Sequence, residues 1–247
     1  MRRHPDPTFD RLLGDPGAAD PAAVAAAARR TRVGDAAGWE RFWRAEGDRA
    51  VAAGDDRLAA DDVAGACSAL LAAAEAYGFA GHVFPPSSVS HRGNRAAQVA
   101  AFRAALPLLP CPAEAVAPDT YLFGAGGDVC ALVPMPDGLP AEAGWARFGV
   151  PATGRGAGCL VVAGRVTDPV GLARGYGVRC PVVLVGWGSA APVVTASMRA
   201  GDDVAGVVWC SADDVLPPDT RAPQRALPST ATVDAAMAWV VEVARRP

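Results

Sequence analysis

Apolar positions recur along this chain with two different periods. From about Pro21 to Leu109 they fall at three- and four-residue steps within alanine-rich windows, with Arg and Glu between them, the pattern of amphipathic helices. Gly34, Gly54 and the pair Pro85-Pro86 punctuate this region, so helices are expected near 21–31, 36–53, 59–82 and 92–106. In the third, Leu70, Ala73, Ala74, Tyr77 and Ala80 make one stripe, and Asp61 or Asp62 is placed to cap its start. From Val116 onward the pattern shortens to β runs: Thr120–Phe123, Val129–Pro134, Cys159–Ala163, Val182–Val185 and Val204–Cys210. The first two, split by residues 124–128, read as a hairpin. The later three are apolar on both faces, as buried parallel strands are. Helical patterns at 168–175, 190–199 and 231–245 supply crossovers, while 136–158 shows no period and reads as a loop. Its TGRGAG stretch precedes a strand, whereas a phosphate cradle follows one and opens a helix. The expected fold class is α/β, a mostly parallel sheet preceded by helices. The expected divisions are a disordered tail at 1–20, a helical module at 21–115 and a sheet domain at 116–247.

Composition narrows the chemistry. The chain has 247 residues, 51% of them hydrophobic, yet no uninterrupted apolar run approaches the roughly 18 residues that span a bilayer. Residues 1–21 carry Arg2 and Arg3 without an apolar core, unlike a signal peptide, so a cytoplasmic location and no membrane partner are expected. A net charge of -3 supplies no basic surface for nucleic acid. There is no lysine and no isoleucine, a bias that matches GC-rich coding, as in a GC-rich bacterium. Lysine's absence excludes Schiff-base catalysis, pyridoxal phosphate attachment and a Walker-A loop. Histidine occurs only at His4, His82 and His91. The six cysteines show no CxxC or Cys/His cluster, so they read as small buried hydrophobes, with no metal, no disulfide framework and no cofactor expected.

Several stretches carry a family resemblance. In order they are Trp39 and Trp43 at a four-residue spacing, LLAAAEAYGFAGHVFPP, Arg95, QVAAFRAALPLL, CPAEAVAP and TYLFGAGGDVCALVPMP. Together they resemble the N-terminal helical cap and first hairpin of the α/β-hydrolase branch that includes fermentation-respiration switch proteins, fungal pigment-pathway acyl hydrolases and 2,6-dihydropseudooxynicotine hydrolase. The likeness covers residues 36–136 well and the remainder in fragments. It implies a shortened α/β-hydrolase-like sheet with an N-terminal helical cap over the active site. It also matches Gly164, Arg165 and Asp168 to the loop after the strand that follows the hairpin. In VVLVGWGSAAPVV, the GxSxG elbow pattern places Gly186 at the first glycine, Trp187 at the variable site and Gly188 at the nucleophile site. Ser189 then stands one place late. In VVWCSADDVLPP the triad acid falls on Asp213 or Asp214, but no histidine follows it. The resemblance therefore implies a degenerate member.

Three functions are consistent with these residues. The first is a protein acting on or binding a small apolar carbonyl or acyl compound, by non-covalent elimination, isomerisation, cyclisation or cleavage in secondary metabolism. There, backbone donors at Gly164, Arg165 and Ser189 would hold an oxyanion. The second is a serine acyl or C-C hydrolase using Ser189, Asp213 and either His82 or His91 from the cap. The third is a non-catalytic partner of an active homologue, in keeping with homo- or hetero-dimer formation in the resembled branch. GWGSAA also fits the dinucleotide pattern GxGxxA, but on a late strand, with Asp213 better accounted for by the elbow reading. The tryptophans Trp39, Trp43 and Trp209 read as core or cap-interface residues rather than as ligand platforms.

Overall fold

The computed structural model describes residues 35–135, 140–163, 166, 168–187, 204–210, 224–227 and 233–244. The chain divides into two compact units, Met1–Pro110 and Cys111–Pro247.

The described part of the first unit is built on three helices, α1 (Ala36–Ala59), α2 (Val63–His82) and α3 (Val89–Ala105), with a short 3-10 turn at Leu106–Leu108. Each helix starts at a side-chain cap. Asp35, Asp62 and Ser88 accept the backbone N–H of Gly38, Gly65 and His91, satisfying a donor that has no partner within the helix. Asp62 is thus the cap of α2, while Asp61 takes a left-handed φ of 57° in the turn before it. The expected stripe Leu70, Ala73, Ala74, Tyr77 and Ala80 is buried, as α2 packs against both α1 and α3. Trp39 donates its indole N–H to the Phe79 carbonyl at 2.7 Å, and Trp43 lies against Phe79 with ring centroids 4.8 Å apart.

Gly54 does not end α1 as expected. A Cβ there would meet Leu70 Cγ at 3.1 Å, so this glycine sits inside the helix where α2 comes close, and the chain breaks at residues 60–62 instead. Helix α2 also has the length and composition of a membrane span, with a mean hydropathy of 1.4 over its window. Half of that window is buried within the protein, the behaviour of a core helix. Beside it, fully buried Asn94 accepts from Arg44 at 2.9 Å and donates to Glu40 at 2.8 Å, tying α3 to α1.

The second unit holds a seven-stranded sheet of order β1-β2-β4-β3-β5-β6-β7. The strands are β1 (Ala113–Ala117), β2 (Thr120–Phe123), β3 (Cys130–Met135), β4 (Gly158–Ala163), β5 (Val182–Trp187), β6 (Val204–Cys210) and β7 (Gln224–Leu227). β1 and β2 run antiparallel, and the pairs from β4 to β7 are parallel. The hairpin expected between Thr120–Phe123 and Val129–Pro134 does not form. β2 pairs with β1 and β4, and β4 separates it from β3. Every residue of β3 is buried, so its backbone groups need partners on both sides, which two parallel neighbours supply.

The segment expected to be a loop contains a π-helix at Trp145–Gly149 and α4 (Val150–Thr153). Helices α5 (Pro169–Gly175) and α6 (Val233–Ala244) complete the described unit. One face of the sheet packs Leu132, Leu160 and Leu184 with Ala173 of α5. The π-helix, α4 and α6 contact one another, and through them β4 and β6. The helix expected at 190–199 lies outside the described residues.

Asn94→Ala is expected to lower unfolding free energy by about 1–3 kcal/mol, because Arg44 and Glu40 each lose the hydrogen bond to this buried amide. Chemical denaturation measures this directly.

Candidate functional site

The hydrogen-bond register brings the carboxyl ends of the parallel strands level. Met135 lies opposite Ala163, Trp187 opposite Cys210, and Cys210 opposite Leu227. Cys130 lies opposite Val182 in two strands of equal length, so Met135 and Trp187 also end at one height. Neighbouring strands are about 4.8 Å apart, which sets the exits of β4, β3, β5 and β6 side by side along one edge.

The connection after β3 leads to β4 on one side, whereas β5 is followed by β6 on the other. Right-handed crossovers place connections that leave in opposite directions on opposite faces of a sheet. Between the carboxyl ends of β3 and β5 the order therefore reverses, and such a switch point is the position where open α/β sheets bind ligands.

The candidate residues follow directly from these strand ends. Gly164 and Arg165 come one and two residues after Ala163, Gly188 and Ser189 one and two after Trp187, and Asp213 three after Cys210. Gly164, Arg165, Gly188, Ser189, Asp213 and Asp214 themselves lie outside the described residues. What the structure fixes is their starting points, and β5 is informative here. It continues two residues beyond the expected Val185, through Gly186 and Trp187, so Gly188 is the first residue past the strand and Ser189 the second. Asp168, matched to the same loop as Gly164, caps α5 by accepting the Gly171 N–H at 2.8 Å.

Both described histidines belong to the helical unit and differ in environment. His82 ends α2, and its Nε2 is shielded from solvent. His91, in the first turn of α3, has Nδ1 3.1 Å from the Gly81 carbonyl oxygen. A carbonyl only accepts, so Nδ1 carries the proton and Nε2 keeps a lone pair in the neutral ring.

Two groups were not singled out by sequence. Glu142 is the one charged side chain buried among the described residues, and it accepts a hydrogen bond from fully buried Tyr121. Tyr121 reads in the sequence only as part of an apolar β run, and an isolated Glu between two alanines carries no sign of burial. Among the described residues no group of three or more His, Cys, Asp or Glu is placed to hold a metal. Cys67, Cys111, Cys130, Cys159 and Cys180 are free thiols. Burial pushes Cys130 up to about 12, and raises Cys159 well above the ordinary thiol value, which keeps both protonated and unreactive.

No protein-family model matches the chain, and no curated protein matches it. Among solved structures it is similar to 2,6-dihydroxy-pseudo-oxynicotine hydrolase, with a TM-score of 0.61 and 14% identity over 82% of this chain and 64% of that one. It is likewise similar to AbyA5, with a TM-score of 0.56 and 17% identity over 81% of this chain and 61% of the other. The chain therefore spans less than two thirds of either. At such identities the likeness establishes the fold, which is that of the α/β hydrolases.

Two outcomes follow from this geometry. Long-range ¹H–¹⁵N spectra should show neutral His91 as the Nδ1–H tautomer, and an Nε2–H signature would overturn the assignment. In native protein at pH 8, iodoacetamide should leave Cys130 and Cys159 unmodified while labelling them after denaturation, as mass spectrometry of the peptides reads out.

Proposed function

We propose that this protein binds a small, largely apolar carbonyl or acyl compound at the carboxyl edge of its sheet. It stabilises negative charge on the compound's oxygen without forming a covalent bond to serine. The observation that carries this reading is the end of β5: the strand runs through Trp187, leaving Gly188 at the first position beyond it and the serine one place later. A glycine there has no oxygen to attack with. Backbone N–H groups in the turn survive loss of the nucleophile, and such donors with binding alone retain roughly 10³ to 10⁴ of rate over water in enzymes whose triads have been removed. The sheet unit also contains no histidine, and a serine hydroxyl without an adjacent base is a poor nucleophile. An enolate or alkoxide intermediate of an elimination, isomerisation, cyclisation or cleavage fits such a site.

The alternative reading is a serine acyl or C-C hydrolase using Ser189 with Asp213.

The two readings separate experimentally. 4-Nitrophenol reports oxyanion binding, because donors that stabilise the phenolate lower its pKa and shift its visible absorbance to lower pH. We expect the protein to lower that pKa, the shift to persist in Ser189→Ala, and a fluorophosphonate probe to leave Ser189 unlabelled. Labelling that is lost in Ser189→Ala would replace this reading with the serine hydrolase. Absence of any nitrophenol shift would remove the oxyanion site itself.

A further inference from the structure

Glu142 calls for a physical account. A carboxylate taken out of water is costly unless its oxygens are hydrogen-bonded, and an apolar pair of similar volume would fill the same space at lower cost. What a Tyr–carboxylate hydrogen bond adds is direction, since its length and angle select one docked arrangement where apolar contact accepts several. Glu142 stands in the turn that leads from β3 into the first crossover, between the Ala143 N–H to Pro140 carbonyl bond and the π-helix. Tyr121 is on β2, opposite Val161 of β4 and so two residues below the carboxyl edge at Ala163.

Three further features press the same segment onto the sheet. A Cβ on Gly144 would overlap the side chain of Val161, so that turn lies directly on β4. The ring of Trp145 packs on Phe123 with centroids 4.8 Å apart, and Phe148 is fully buried. The crossover contains a π-helix, a geometry that is rare and that recurs at functional sites. The direction-setting bond, the close approach and the irregular helix all fall within fourteen residues of the carboxyl end of β3.

We infer that Glu142 and Tyr121 are a positioning pair. Their hydrogen bond locks the crossover after β3 onto β2 and β4, and thereby holds the carboxyl ends of β3 and β4 in the geometry that binds an oxyanion. The inference rests on the proposed oxyanion site. Neither residue touches the ligand in this role.

The test compares the full chain with Glu142→Gln, which keeps an acceptor for the tyrosine, and with Glu142→Leu and Tyr121→Phe, which break the bond. Hydrogen exchange of the peptides covering 133–149 and 158–163 is followed alongside 4-nitrophenol titration. In Glu142→Leu and Tyr121→Phe, exchange should rise in these peptides while β5 and β6 keep their protection. The nitrophenol pKa shift should shrink, with affinity falling about tenfold, roughly the weight of one hydrogen bond to a charged group. Glu142→Gln should restore both readouts to within about twofold, a fraction of that bond's worth. Tyr121→Phe, a minimal change, carries the test should Glu142→Leu not fold.

Unchanged exchange in both bond-breaking variants would overturn the inference. So would a nitrophenol shift that is insensitive to all three substitutions, or a Glu142→Gln no better than Glu142→Leu. If the unaltered protein shows no nitrophenol shift, the proposed function fails by itself, and local exchange with its rescue in Glu142→Gln still decides whether the pair positions the crossover.

Discussion

Backbone pairing of β3 on both its edges is the constraint on which the described sheet unit depends. This strand is buried along its whole length, and its N–H and C=O groups have no recourse to water. Parallel ladders to β4 and β5 supply the partners. Because both are in register with β3 over matched lengths, they also bring three strand ends to one height. Everything proposed about the site follows from that alignment: the reversal of strand order between β3 and β5, and the emergence there of chain segments that carry glycine, serine and aspartate.

The two units divide the chemistry between them. The helical unit contains His82 and His91, and a polar seam in which Glu40, Arg44 and Asn94 satisfy one another. Among its described residues the sheet unit buries one charged side chain, Glu142, which is held by a tyrosine; Cys130 and Cys159 are raised by burial, and no imidazole follows residue 91. Backbone donors are the part of an oxyanion site that outlasts side-chain substitution, since no mutation short of proline removes them.

Much of this was legible in the order of residues. The step of three and four that joins Leu70 to Ala80 locates α2, and the unbroken apolar runs at 159–163, 182–185 and 204–210 locate the central strands. Two strands escaped. β1 is only partly buried, and β7 is a four-residue edge strand, so neither carries the pattern that burial on two faces imposes. The hairpin expected between β2 and β3 failed for a different reason. Period and turn residues identify a strand, but its neighbour is chosen by the whole sheet, and β4 arrives from some thirty-five residues further along the chain to lie between them. Gly54 shows the same limit on a smaller scale. Its sequence neighbourhood marks a helix break, and its actual role depends on Leu70, sixteen residues away.

By itself, then, the sequence determined the kinds of element and the chemistries that the absence of lysine and the scarcity of histidine exclude. These are properties of local period and of inventory, and they do not depend on what meets what. Only the tertiary structure decided the strand order, the common level of the carboxyl ends, the tautomer of His91 and the burial of Glu142 against Tyr121. Each of these is a contact between residues distant in the chain. Such contacts form only when the packing of all the elements together has compensated the entropy of bringing them near.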